Sequence, residues 1–265
     1  MKARYALKRL GIMVLGMVLF LVVLGIVQMP MHRARLPDLA AAAMLLAIAL
    51  VFYVAYERFV ERRIPTELAP GALLPEGAFG LAAGFALFAV TIGVLALAGA
   101  YHIYAGGPWT AGISIFFVML AGAVIEELLF RGFLFRTIRE LFGTWAGVAV
   151  SAVLFGAAHA FNPGASVVST VAIALEAGVL LSLAYAATNR LWVPIGLHAA
   201  WNFSESFIFG TAVSGHATTH ALFYANLQGP ALLTGGAFGP EASIVAVLVC
   251  LAGAAVFATR VRAHA

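Results

Sequence analysis

Charge is scarce in this sequence. Asp, Glu, Lys and Arg make up 10% of its 265 residues, whereas a soluble protein carries about 25%, so an ordinary hydrated surface is excluded. Cysteine is rarer still: Cys250 stands alone in an apolar run, which excludes an internal disulfide and leaves packing as its role. No His-Glu-x-x-His run occurs, so a zincin site on one helix is excluded as well. What fills the chain is hydrocarbon, at 63% hydrophobic residues and a mean hydropathy of +1.03. That composition describes an integral membrane protein, and no polar block is long enough to fold apart from it. The net charge of +4 does not mark a nucleic-acid binder, because the basic residues flank apolar runs instead of alternating with aromatics in a patch.

A bilayer core about 30 Å thick takes roughly 20 apolar residues in a helix. Runs near that length lie at 10–29, 38–56, 78–100, 111–134, 145–161, 165–187, 193–212 and 242–259, predicting an all-α, polytopic transmembrane bundle of about eight spans. The first run is too long for a signal-peptide core and has no A-x-A site after it, so it reads as a retained anchor. Lys and Arg are partitioned between alternate connections. One side receives Lys2, Arg4, Lys8, Arg9, then Arg58, Arg62, Arg63, then Arg131, Arg136, Arg139, then Arg190, Arg260 and Arg262; the other receives Arg33 and Arg35. Cytoplasmic loops carry the basic excess, which predicts both termini in the cytoplasm. Residues 132–142 mix basic and aromatic side chains and read as a segment along the cytoplasmic interface. Residues 205–240, without Lys or Arg, read as an irregular exterior loop.

Ionisable groups inside a span cost about 2.5–3.5 kcal/mol each on insertion scales, so the few present stand out. Glu127 and Arg131 are four residues apart and share a helix face, where they can pair. Glu126, rotated by about 100°, is left to face something else and is the candidate base. The fifth run carries Phe155-x-x-x-His159 and the seventh His198-x-x-x-Asn202. An imidazole and a carboxamide one turn apart can donate two hydrogen bonds to a developing oxyanion. Each of these has a plainer alternative as a polar contact between helices. Together they form a hydrolase inventory: Glu126 and His159 to activate water, His198 and Asn202 to hold the oxyanion, and Glu127, Arg131 and Phe155 in support. The same set admits a divalent metal such as zinc at Glu126, His159 and His198.

Taken in order on separate spans, Glu126-Glu127-x-x-x-Arg131, Phe155-x-x-x-His159 and His198-x-x-x-Asn202 resemble the CPBP family, the CAAX proteases and bacteriocin-processing enzymes also called Abi proteins. The lead-in from Thr188 to Leu197 resembles that family too, with Asn189 where it often has glycine; asparagine tolerates a left-handed turn. The resemblance implies a metalloprotease-like or glutamate-dependent intramembrane endopeptidase and the same division of roles among Glu126, His159, His198 and Asn202. It implies a core at 111–209, between N-terminal spans at 1–110 and an exterior loop with the last span at 210–265. It also implies a membrane-associated protein or peptide substrate. The prenylated cysteine of the eukaryotic members does not carry over, and the Ala- and Gly-rich style points to a bacterial inner membrane. The alternatives are a transporter with a proton relay through Glu126, Glu127, His159 and Glu176, or an inactive scaffold.

Glu205 reads as an interfacial residue, His216 and His220 as solvated, and Thr234 to Glu241 as a turn in which Pro240 starts the last helix. One geometric demand remains. With helix breaks near 134 and 145, Glu126 lies about 12 Å and His159 about 21 Å from the cytoplasmic boundary, so a direct pairing requires a tilt, a kink or an earlier start to one helix.

Overall fold

The computed structural model describes residues 2–261, apart from the side chains of Lys2 and His32; Arg262, counted above with the basic C-terminus, lies outside them. Helix α1 (Lys2–Ala34) and α2 (Asp38–Phe59) lead into α3 (Leu73–Leu97) and a short strand β1 (Tyr101–Gly106). Helix α4 (Gly112–Glu127) passes through a π-helical stretch, Leu128–Phe135, into α5 (Arg136–Phe142) without a break, and α6 (Thr144–Ala158) returns. Next come α7 (Val167–Ile173), a π stretch at Ala174–Gly178 and α8 (Val179–Thr188), again as one rod. Helix α9 (Trp192–Phe203) runs into a third π stretch, Ser204–Ile208. Strand β2 (Phe223–Leu227), the single turn α10 (Ala231–Thr234) and α11 (Ile244–Ala258) complete the chain.

The fold is an all-α polytopic bundle. Six helical rods are long and apolar enough to cross a membrane, with Ile244–Ala258 a shorter apolar helix. All eight runs named above fall on helices, and the two at 192–208 and 244–258 are the short ones. Small residues set the closest packing. A Cβ on Gly80 or Gly84 of α3 would collide with the carbonyl oxygens of Val193 and Leu197 of α9, and one on Gly196 would stand 2.6 Å from the Gly77 carbonyl. Backbones meet there because lipid-embedded helices associate through close van der Waals contact. That contact holds α9, and with it His198, against the bundle.

Three expectations are corrected. Residues 132–142 are not a separate interfacial segment: they continue α4, and Leu128 to Ile138 are mostly buried. Their arginines carry partners from elsewhere in the chain. Arg136 Nη2 meets Glu57 Oε1 at 3.0 Å and Glu61 Oε1 at 2.8 Å, while Arg9 reaches Glu61 at 2.9 Å and Glu140 at 2.6 Å. Arg63 pairs with both Glu57 and Glu67, and Arg139 donates to the Asn189 side chain at 2.6 Å. Asn189 closes α8 in the left-handed conformation, φ 55°. Nor is 205–240 irregular throughout: β2 pairs antiparallel with β1, and Gly215 N donates to Phe238 O at 2.7 Å. Pro240 opens only a 3₁₀ turn, and the last helix is capped instead by Ser243, whose Oγ accepts from Ala246 N at 3.1 Å.

Burial opposes ionisation of Glu61, but hydrogen bonds and charge from Arg136 and Arg9 outweigh it and hold its carboxyl below the usual carboxylate range. Such a group stabilises the fold above its ordinary pKa of about 4.3, and that contribution is lost as pH falls through the depressed value. Thermal unfolding in detergent should therefore show a midpoint that drops on acidification below about pH 4.3, and Glu61→Gln should flatten the drop. An unchanged acid limb in Glu61→Gln would contradict the assignment.

Candidate active site

Three separate rods bring the polar residues together. Arg131, with no exposed surface, lies within the π stretch after α4 and donates through Nη1 to Glu127 Oε1 at 2.9 Å. Its Nη2 reaches the carbonyls of Ala177 at 3.2 Å and Gly178 at 3.1 Å, at the end of the second π stretch. Phe155 of α6 offers its face to the same guanidinium, 4.7 Å from ring centre to Cζ. Glu127 Oε1 accepts a second bond from His198 Nδ1 of α9, at 3.0 Å. Glu127 is thus a bridge between Arg131 and His198, more than the simple partner of Arg131 that its spacing suggests.

Glu126 points elsewhere, as its rotation requires. Its Oε2 stands 3.9 Å from His159 Nε2 and 3.9 Å from His198 Nε2. These separations exceed a hydrogen bond and match the span that one water or one substrate atom bridges. His159 Nδ1 lies 2.8 Å from Phe155 O, an acceptor only, so Nδ1 donates there and Nε2 is the ring nitrogen that faces Glu126. Phe155 packs against both imidazoles, with ring centroids 4.7 Å from His159 and 6.0 Å from His198.

The depth mismatch disappears with the true end of the fourth rod. Because α5 runs to Phe142 and α6 starts at Thr144, Glu126 and His159 lie about 24 and 22 Å from that shared end at 1.5 Å per residue.

A cavity of about 20 Å³ adjoins the cluster, room for one water. His159, His198 and Asn202 line it, together with Glu176, Glu241 and Ser214. Glu241 and Ser214 were not anticipated as neighbours of this site, and no spacing signal links them to it. Glu176 is buried; Glu205, expected at the interface, is buried too and lies in the third π stretch with no exposed surface. His216 and His220 are exposed in the connecting segment.

A zinc ion held by a histidine nitrogen and a carboxylate oxygen at about 2.0–2.1 Å from each would need an angle of roughly 140° to span the Glu126–histidine separations, far from tetrahedral. Among the described residues no group of three His, Cys, Asp or Glu side chains has a geometry that could hold a metal. The donor set as placed does not fit that ion.

Residues 107–204 match the family model of the Type II CAAX prenyl endopeptidase Rce1-like proteins. This Rce1-like segment begins just before α4 and ends two residues past Asn202, so it contains Glu126, Glu127, Arg131, Phe155, His159, His198 and Asn202. No curated protein and no solved structure matches the chain. The Rce1-like match supports a protease, and the apolar rods make it a multi-pass membrane protein with a lipid environment.

Arg131→Met should leave Glu127 buried with His198 as its only remaining partner. Breaking a buried pair from one side costs about 3–5 kcal/mol, which thermal unfolding in detergent reads as a lowered midpoint. Arg131→Met combined with Glu127→Leu should recover much of the loss; a single variant as stable as the parent would contradict the bridge.

Proposed function

We propose that the protein is an intramembrane endopeptidase that cleaves a membrane-associated protein or peptide with a water activated by Glu126 and His159. The observation that carries this reading is the convergence of Glu126 Oε2 with the Nε2 atoms of His159 and His198, 3.9 Å from each, from three different rods. Residues 111–209 act as the catalytic core within the bundle, set in a bilayer that the composition suggests is a bacterial inner membrane.

The chemistry follows from which atoms face one another. A water between Glu126 Oε2 and His159 Nε2 gives a proton to the carboxylate as its oxygen attacks the scissile carbonyl carbon. The carbonyl oxygen becomes an oxyanion. Asn202 donates to it through its carboxamide, and His198 donates from Nε2 when the ring carries both protons, its Nδ1–H being taken by Glu127. The C–N bond then breaks, and the departing amine leaves with the proton that Glu126 holds. Arg131 neutralises the Glu127 charge, so Glu126 remains the one carboxylate of the pair facing the reacting water. The donor geometry gives no step to a metal.

General-base catalysis contributes about 10²–10⁴-fold and one oxyanion donor about 10²–10³-fold. Glu126→Gln and His159→Ala should each lower cleavage by the first factor, and Asn202→Ala by the second, with unfolding midpoints near the parent's. The assay compares the membrane peptides of cells with and without the protein, then of each variant. Undiminished cleavage by Glu126→Gln would sink the reading.

A further inference from the structure

The cavity beside the catalytic cluster is walled by polar groups that the proposed chemistry leaves idle. Its volume of about 20 Å³ suits a single water, which is retained where about two to four polar partners meet it. His159, His198 and Asn202 line it from the catalytic cluster, and Trp201, Ser214 and Glu241 add further polar groups. Ile173, Leu180 and Leu181 supply hydrocarbon around them. Two of the polar atoms find no use inside the protein: Glu241 Oε1 and Trp201 Nε1 are buried without a hydrogen-bond partner among the described residues. Glu241 is 2% exposed and Trp201 4%, so bulk water does not serve them. An indole N–H can only donate, whereas a carboxyl oxygen accepts in either protonation state. One water accepts from the first and donates to the second, which removes the cost of leaving both atoms unmet.

A metal ion is a poorer occupant, since no group of three His, Cys, Asp or Glu side chains among the described residues can hold one. Ser214 and Glu241 come from outside the Rce1-like segment, which ends at residue 204. Close backbone contacts keep them in place as a cap over this part of the bundle. Gly215, next to Ser214, abuts the Pro163 carbonyl, and Gly239, two residues before Glu241, abuts the Ala212 carbonyl. The reacting gap itself has little hold on water of its own. Glu126 keeps 34% of its side chain exposed, but its Oε2 is buried and unpartnered. An apolar segment laid against Glu126 covers the exposed part and shuts out bulk solvent, and hydrolysis then depends on water already inside the protein.

We infer that Glu241 and Trp201 are positioning residues that hold a second water in this cavity, in reserve for the attack at Glu126 and His159. That the cavity binds water stands on its own; its use in hydrolysis rests on the proteolytic reading. The water moves past His159, which borders both the cavity and the reacting gap, and no bond to it forms or breaks until it attacks. Nuclear magnetic resonance tests the binding. Isotope-labelled indoles give one N–H signal each for Trp109, Trp145, Trp192 and Trp201, and Trp201→Phe, which keeps a ring against Phe88, identifies the last. The Trp201 N–H should show an Overhauser contact with bound water that persists in Glu241→Gln and disappears in Glu241→Leu. A lipid-anchored quenched-fluorescent peptide tests the use. Glu241→Leu and Trp201→Phe should each lower kcat by about three- to tenfold, the worth of one hydrogen bond, with KM near the parent's. Glu241→Gln keeps an acceptor and should cleave nearly as fast as the parent, which a loss of packing would not predict. Absence of any water contact at the Trp201 N–H, cleavage by Glu241→Leu at the parent's rate, or equal losses in Glu241→Gln and Glu241→Leu would each overturn the inference. If the parent cleaves nothing, the proteolytic reading and the supply of water to it fall together, and the Overhauser measurement still decides whether the cavity holds water.

Discussion

A guanidinium with no access to water governs the centre of this protein. Arg131 cannot be hydrated where it sits, and an isolated charge in such a place is prohibitively costly. Its surroundings are organised to supply what water would. Glu127 supplies the opposite charge, the Ala177 and Gly178 carbonyls take its second nitrogen, and the Phe155 ring covers its face. These partners come from the fourth rod, the α7–α8 rod and α6, so satisfying one charge draws three transmembrane elements to one point. Glu127 has an acceptor to spare and uses it on His198, which adds α9. The residues proposed to act on substrate are held in place by a requirement that concerns none of them directly.

The neighbouring carboxylates have contrasting surroundings. Glu126 and Glu127 are adjacent in sequence, yet Glu127 is sealed between an arginine and a histidine while Glu126, its side chain partly exposed, turns a buried and unpartnered Oε2 between two imidazoles. A second acidic group, Glu176, Glu205 and Glu241, is buried nearby, and 191–259 contains no Lys or Arg to pair with it. The thiol of Cys250 donates to Glu176 Oε2 at 3.2 Å, whereas both carboxylate oxygens of Glu205 and Oε1 of Glu241 are buried without a hydrogen-bond partner among the described residues. The polar interior is therefore divided into a cation-balanced part that fixes geometry and a cation-free part against the cavity wall.

Much of the bundle can be read from the chain, because transmembrane runs must be apolar over their whole length. The Glu127–Arg131 pairing was legible for a similarly local reason: residues four apart on a helix are neighbours. What could not be read depended on distant partners. Arg136 and Arg139 look like the marks of an interfacial segment until Glu57, Glu61 and Asn189 are seen to receive them from other rods. Glu205 looks like a surface residue because nothing within a turn of it offers a partner, and its burial follows from the cap folding back over α9, with Gly239 brought against it. The convergence of Glu126 with His159 required the unbroken passage from α4 into α5, which hydropathy alone interrupts.

Three π stretches lie beside this centre, at 128–135, 174–178 and 204–208. A π turn holds one more residue than the α turn it replaces, and such bulges occur often at functional sites. Each stretch can therefore be regarded as an accommodated single-residue insertion. Removing one residue from such a stretch would let it relax to an ordinary α-helix while the residues beyond it keep their facing. A deletion at 128–135 that fell after Arg131 would leave both the Glu126-Glu127-x-x-x-Arg131 spacing and the pairing of Arg136 with Glu57 and Glu61 in place. Homologous chains that keep the motif can thus differ by a residue just downstream of it without rewiring those ion pairs.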